Sequence, residues 1–258
     1  MGFYIRHCLG FFIQIFPCMI LCFIPWAAGA YRVRRRWVLA GFTAGVSAMS
    51  LLFPVLILSI RTEEMKDMAA NLYMTAAILL CCFIYFYMIR EHAIKKMLVV
   101  NLTIVYAAVQ FMFVNMVRPV FAESASYGVY STGSFWMYVF SAAVMFPLVA
   151  LMMHRTVRAY FRQTEVKAMG REFSRVFAMT FGFFFIIFLY NIAVEDSVSS
   201  EQFWWIVIPP FLYAVIVLMA VYWILLQEAV RRKSESDRRR CEELQKLQYQ
   251  RIISDMEK

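Results

Sequence analysis

The sequence predicts an all-α polytopic membrane protein, with seven transmembrane helices, the N-terminus outside and a cytoplasmic helical linker at the end. Three observations carry that expectation. Hydrophobic residues make up 62% of the 258, aromatics 17%, and mean hydropathy is +0.63, which is more apolar surface than a soluble domain of this length can bury. Seven stretches are each long enough to cross a hydrocarbon core of about 30 Å, which takes about 20 helical residues. Finally, Lys and Arg alternate between the connecting segments in a way that fixes one orientation.

The first stretch runs over roughly 8 to 29 and is interrupted by Gln14 and Pro17. Arg6 ahead of it and Ala27, Ala28, Gly29 and Ala30 behind it also fit a cleaved signal peptide. Cleavage there would leave Arg32, Arg34, Arg35 and Arg36 on the outer face, against the positive-inside bias, so the segment is read as a span. The second stretch, 37 to 60, holds Gly41 and Gly45 among Ala40, Ala44 and Ala48. Such a small-xxx-small face lets two helices approach closely, within one bundle or between two protomers, and packing within the bundle is the favoured use. The remaining stretches fall at 71 to 89, 97 to 117, 133 to 153, 174 to 194 and 203 to 226. Pro17, Pro54, Pro147 and the pair Pro209-Pro210 lie inside them, where each missing donor permits a packing kink. The chain therefore divides into a membrane domain over 1–226 and a charged tail over 227–258.

With the N-terminus outside, every Lys and Arg falls on the inner side except Arg6, Arg61, Lys66 and Arg118. The outer segments keep Glu63, Glu64, Asp67, Glu123, Glu195, Asp196 and Glu201. The formal net charge of +9 follows from this topology and from contact with anionic lipid, with no nucleic-acid partner required. The outer loops, near 61–70, 118–132 and 195–202, are too short to fold as a separate domain, so any signal is read within the bilayer or at its outer surface.

Chemistry inside a bilayer usually relies on ionisable groups at depth, and no span centre holds one. Proton pumping and most ion-coupled transport are disfavoured on that ground. His7, His92 and His154 lack metal-ligand spacing, Glu63-Glu64 has no histidine partner, and Gly45-Val46-Ser47 lacks a nucleophile elbow, so no catalytic or metal-binding residue is assigned. The six cysteines offer no paired extracellular framework. What remains is a set of amides: Gln14, Gln110, Asn115 and Asn191. Facing lipid they would go unsatisfied, so they are expected to point into the bundle, where interhelical hydrogen bonding is their ordinary role. The sharper expectation is an outward-facing pocket for a peptide or apolar ligand, lined by these amides with Trp204 and Trp205, and with Tyr73, Trp136 and Tyr138 near its rim. Eighteen methionines suit an adaptable surface of that kind.

The tail carries the functional expectation. From Leu226 onward it holds no Pro or Gly and is rich in Arg, Glu, Lys, Gln and Leu, so helix is expected. Cys241, Leu244, Tyr249, Ile252 and Met256 form an apolar stripe, with Leu247 and Ile253 to either side, as in an amphipathic helix that packs on a partner. Gln245 and Gln248 interrupt any strict heptad.

The run from Cys241 to Lys258, Cys-Glu-Glu-Leu-Gln-Lys-Leu-Gln-Tyr-Gln-Arg-Ile-Ile-Ser-Asp-Met-Glu-Lys, resembles the linker of bacterial sensor histidine kinases of the peptide-pheromone-receptor type, whose ATPase belongs to the GHKL superfamily. The resemblance covers these residues and the general seven-span plan. It implies a sensor (input) module of a two-component system in the bacterial cytoplasmic membrane, a homodimer paired through the tail, and a cognate response regulator reached through a kinase domain. No phospho-accepting His or nucleotide-binding domain follows within the sequence, which is therefore expected to be truncated before them. No catalytic residue carries over, no cofactor is assigned to the chain, and ATP and Mg are implied only for the kinase domain. Two other readings stand beside this one. A transporter or permease is weakened by the lack of internal repeats, and a self-contained seven-helix receptor would have no need of a Gln-rich linker.

Overall fold

The computed structural model describes residues 2–117, 132–163 and 234–250, together with positions 178, 213, 217, 220, 221, 224, 227, 228, 231, 232, 252 and 253. The described residues are helical throughout apart from short connections and one isolated bridge. Helices α1 (Phe3–Phe23), α2 (Arg35–Ser59), α3 (Glu63–Met88), α4 (Ala93–Val117) and α5 (Thr132–Met152) follow one another, and α5 continues through a π turn at Met153–Val157 into α6 (Arg158–Gln163). Among the described residues five helical stretches are long and apolar enough to cross a membrane, the fifth being the combined rod Phe135–Arg162. The sixth and seventh expected spans, 174–194 and 203–226, and the loop 195–202 lie outside the described residues except for single helical positions, as does most of 118–132.

Two boundaries differ from the sequence expectation for physical reasons. Helix α1 ends at Phe23 because Pro25 cannot donate to a preceding carbonyl, and the helix instead begins early, at Phe3. Arg6 and His7 are thereby drawn into its first turns. Helix α3 starts at Glu63, so the expected outer loop of 61–70 contracts to the few residues after Ser59. Pro17, Pro54 and Pro147 lie inside α1, α2 and α5 as expected.

Helix α1 is the hub and packs against α2, α3, α4 and α5, while α3 touches mainly α2. The core accordingly centres on Phe11, Ile15, Leu21, Phe23, Phe53, Tyr85, Leu102 and Met153. At the end of the bundle where α1 and α3 finish, two connections are stitched together. Arg32 N donates to Met88 O at 2.9 Å and Arg90 N to Ala30 O at 2.8 Å, around the isolated bridge between Tyr31 and Ile89. Lys96 Nζ donates to Phe86 O and Ile89 O at 2.9 and 3.1 Å, satisfying the free carbonyls at the end of α3. Trp26 stacks on Phe161 of α6 at 5.1 Å, and its Nε1 donates to Cys22 O at 2.9 Å and to the Tyr85 hydroxyl at 3.2 Å. This end gathers the arginines of 32–36, Arg90, Lys95 and Lys96, with the Lys95 ammonium 5.8 Å from the Phe161 ring centroid.

Among the described residues nothing packs against the glycine face of α2. Gly41 and Gly45 are exposed, and a Cβ added at either would meet no atom of the described residues within 4 Å. Close approach is only one use of small residues in lipid; here the stripe faces outward beside α3.

Candidate functional site

Helices α1 and α4 run antiparallel, and their contact carries several of the buried polar groups of the bundle. Cys22 Sγ on α1 donates to Thr103 Oγ1 on α4 at 3.4 Å, and Thr103 Oγ1 donates in turn to Val99 O at 2.9 Å. One turn along each helix, the antiparallel register sets Cys18 at the level of Tyr106. The same register brings Gln14 to the level of Gln110. Cys18 Sγ is engaged with Gln14 O at 3.3 Å. Helix α5 closes the third side with buried Tyr138 and Ser141, whose Oγ donates to Tyr138 O at 3.1 Å.

Gln110 is 1% exposed, and among the described residues neither its Nε2 nor its Oε1 has a hydrogen-bond partner; the buried Tyr106 hydroxyl, one turn away, has none either. Each unpaired buried polar group costs about 1–3 kcal/mol, and water in the hydrocarbon region is not at hand to relieve it. Three such atoms on one face of α4, at a three-helix junction, form the least satisfied place among the described residues and the best candidate for a ligand or a rearranged partner. The donor set is an amide and a phenol, able to give and accept neutral hydrogen bonds but carrying no charge.

The other residues singled out in the sequence divide clearly. Gln14 is half-buried on α1. Asn115 falls in α4, with its side chain outside the described residues, and Asn191, Trp204 and Trp205 lie outside them altogether. Tyr73 is no open rim residue: its hydroxyl donates to Met49 O at 2.8 Å and its ring packs on Phe11 and Phe53 at 5.5 and 5.6 Å. Tyr138 is buried, while Trp136 is exposed, as an interfacial aromatic would be. In the tail, Cys241, Leu244, Tyr249 and Ile252 are exposed on helical backbone, and Met256 lies outside the described residues.

Comparison with protein-family models, with curated proteins and with solved structures finds no match.

Two features escaped the sequence. Tyr106 looks like any aromatic in an apolar span, and only its orphaned hydroxyl marks it. His7 sits just outside the expected first span, yet it is fully buried, stacked on Phe3 at 3.9 Å with Nδ1 donating to Phe3 O at 3.0 Å. The shift of α1 toward the N-terminus is what buries it. At the opposite end, burial raises the Tyr31 phenol pKa, partly offset by the nearby Arg35 and Arg158 guanidinium groups, and its hydroxyl donates to Phe23 O at 2.8 Å.

Among the described residues no cluster of three or more His, Cys, Asp and Glu side chains is arranged to hold a metal ion.

Proposed function

We propose that residues 1–226 form a seven-helix membrane sensor with the N-terminus outside, and that residues 227–258 are its cytoplasmic output helix in a two-component system. The observation that carries this reading is the tail: helical over 234–250, with Leu244, Leu247, Tyr249, Ile252 and Ile253 all more than half exposed. Apolar side chains on a charged aqueous helix call for a partner. A second copy of the same helix supplies one without further assumption.

The helix has its own support. Glu228 pairs with Arg232 at 2.7 Å, Arg231 with Glu235 at 3.1 Å and Arg238 with Glu242 at 3.1 Å, all at i,i+4 spacing and each worth about 0.3–0.5 kcal/mol. A helix that holds itself together suits a rod that passes movement from the bundle. The basic end of the bundle, where the α1–α2 and α3–α4 connections meet α6, supports an inner position for that end by the positive-inside bias.

In this mechanism a neutral polar ligand, a peptide or an apolar molecule with amide-like groups, is recognised at the Gln110–Tyr106 face together with Gln14 and the remaining amides Asn115 and Asn191. Binding favours the bundle arrangement in which those groups are satisfied, and the last helix transfers the difference to the pairing of two tails. The shift is limited by the difference in ligand affinity between the arrangements, for which couplings of about 1–3 kcal/mol are typical. The kinase domain, with its ATP and Mg, and the response regulator belong to this proposal through the family resemblance of the tail.

Cysteine scanning tests it. Single cysteines placed along 244–256 in a Cys241→Ala background should cross-link in membranes with helical periodicity, strongest near Leu244, Tyr249 and Ile252. Absent or uniform cross-linking along the whole segment overturns the dimeric output helix.

A further inference from the structure

Between α2 and α3 lies a groove of about 320 Å³, lined by Trp37, Gly41 and Gly45 on one side and Leu80, Ile84 and Met88 on the other. Its floor is open at the two glycines, where added side-chain atoms would meet nothing within 4 Å among the described residues. Among the described residues no charged side chain and no hydroxyl or amide lines it; its polar groups are the Cys81 thiol and, at the mouth, the indole N–H of Trp37. Whatever occupies its length is therefore hydrocarbon.

Charge appears at its mouth. Trp37 and Met88 mark the basic end of the groove, and Arg32 is tied there by its backbone N–H to Met88 O at 2.9 Å. Its guanidinium carbon lies 4.9 Å from the Tyr87 ring centroid. Arg34, the residue before the first turn of α2, accepts from Trp37 N at 2.8 Å through its carbonyl and stands in line with Gly41 and Gly45 along the helix. Both arginines are exposed, and neither is paired with a carboxylate among the described residues. The neighbouring lysines are occupied, Lys95 by Glu91 at 3.1 Å and Lys96 by the carbonyls ending α3. The first turn of α2 carries no acidic residue and no side-chain cap, so the helix dipole adds to the positive potential.

We propose that this groove seats one acyl chain of an anionic phospholipid, with the lipid phosphate held at the mouth by Arg32 and Arg34. Guanidinium groups match phosphate oxygens in geometry as well as charge. Charge also decides against a second copy of the chain as occupant. A two-fold contact through the α2 face sets like against like, bringing Arg32, Arg34, Arg35 and Arg36 toward the same residues of the other copy. An anionic headgroup reverses that sign. The inference depends on membrane embedding and not on the sensor reading, so each can fail alone.

The test is native mass spectrometry of the full chain in mild detergent, titrated with dioleoyl phosphatidylglycerol or dioleoyl phosphatidylcholine. The wild type should retain phosphatidylglycerol over phosphatidylcholine by about tenfold or more, at roughly 1 kcal/mol for each basic residue at the lipid surface. The double variant Arg32→Gln/Arg34→Gln changes only exposed side chains and should abolish the preference while still binding both lipids. Gly45→Leu, checked for unchanged helicity by circular dichroism, should lower retention of both lipids alike. A phosphatidylglycerol preference that survives the arginine variant overturns the proposal. So does Gly45→Leu protein that binds both lipids as the wild type does, or that loses a dimer with lipid retention unchanged, which would make the groove an interface between copies.

Discussion

The α1–α4 contact and the α2–α3 face lie at similar depth in the bundle and are built on opposite terms. The first buries Cys18, Cys22, Thr103, Tyr106 and Gln110 where no lipid reaches. The second leaves Leu80, Trp37 and two glycines open, although nothing polar obliges it to close. In water an apolar face must be covered; in lipid it need not be, because acyl chains are as apolar as leucine. A polar side chain has no such freedom. Hydrogen-bonding groups, and not hydrophobic ones, therefore decide which helices occupy the centre.

The largest expected effect falls at the inner end of α1. Trp26→Ala removes the stack on Phe161 and two hydrogen bonds, to Cys22 O and the Tyr85 hydroxyl, and should cost about 3–5 kcal/mol. Trp136→Ala, at a position 58% exposed, should cost under about 1 kcal/mol in the same unfolding measurement in detergent. Equal losses at the two tryptophans would erase the distinction between centre and rim.

Next comes a change of opposite sign. Gln110→Leu puts an apolar side chain of similar size in place of the amide and removes two unpaired polar atoms, so it should stabilise the bundle by about 1–3 kcal/mol. Tyr106→Phe should do the same more weakly. If Gln110 serves a ligand, the stabilised variant loses its response to the signal. A destabilised Gln110→Leu protein would instead mean that the amide is already satisfied in the resting bundle.

The sequence made the centre legible in outline. Five of the expected spans correspond to long apolar helices, and Gln110 was expected to face inward because an amide in hydrocarbon has no alternative. Tyr106 was not legible, since a tyrosine satisfied at an interface and one orphaned in a core have the same local sequence. His7 was missed because hydropathy marks where apolar runs lie and not where a helix begins; α1 reaches back to Phe3 through Arg6 and His7. The glycine face of α2 shows the limit of spacing: it establishes that a close approach is sterically allowed, while whether anything approaches depends on the neighbours, and none of the described residues does.

The smallest effect belongs to those glycines and separates the two kinds of surface most cleanly. Glycine inside a helix is about 0.8–1.0 kcal/mol less favourable than alanine, and the added methyl at Gly41 or Gly45 meets open space. Gly41→Ala and Gly45→Ala should therefore leave thermal stability in detergent unchanged or raise it by up to about 1 kcal/mol each. Had either glycine supported a close helix crossing, the same methyl would force two backbones apart and lower stability. A clear loss at Gly45 would thus place a protein helix against this face, and a small gain leaves it to lipid.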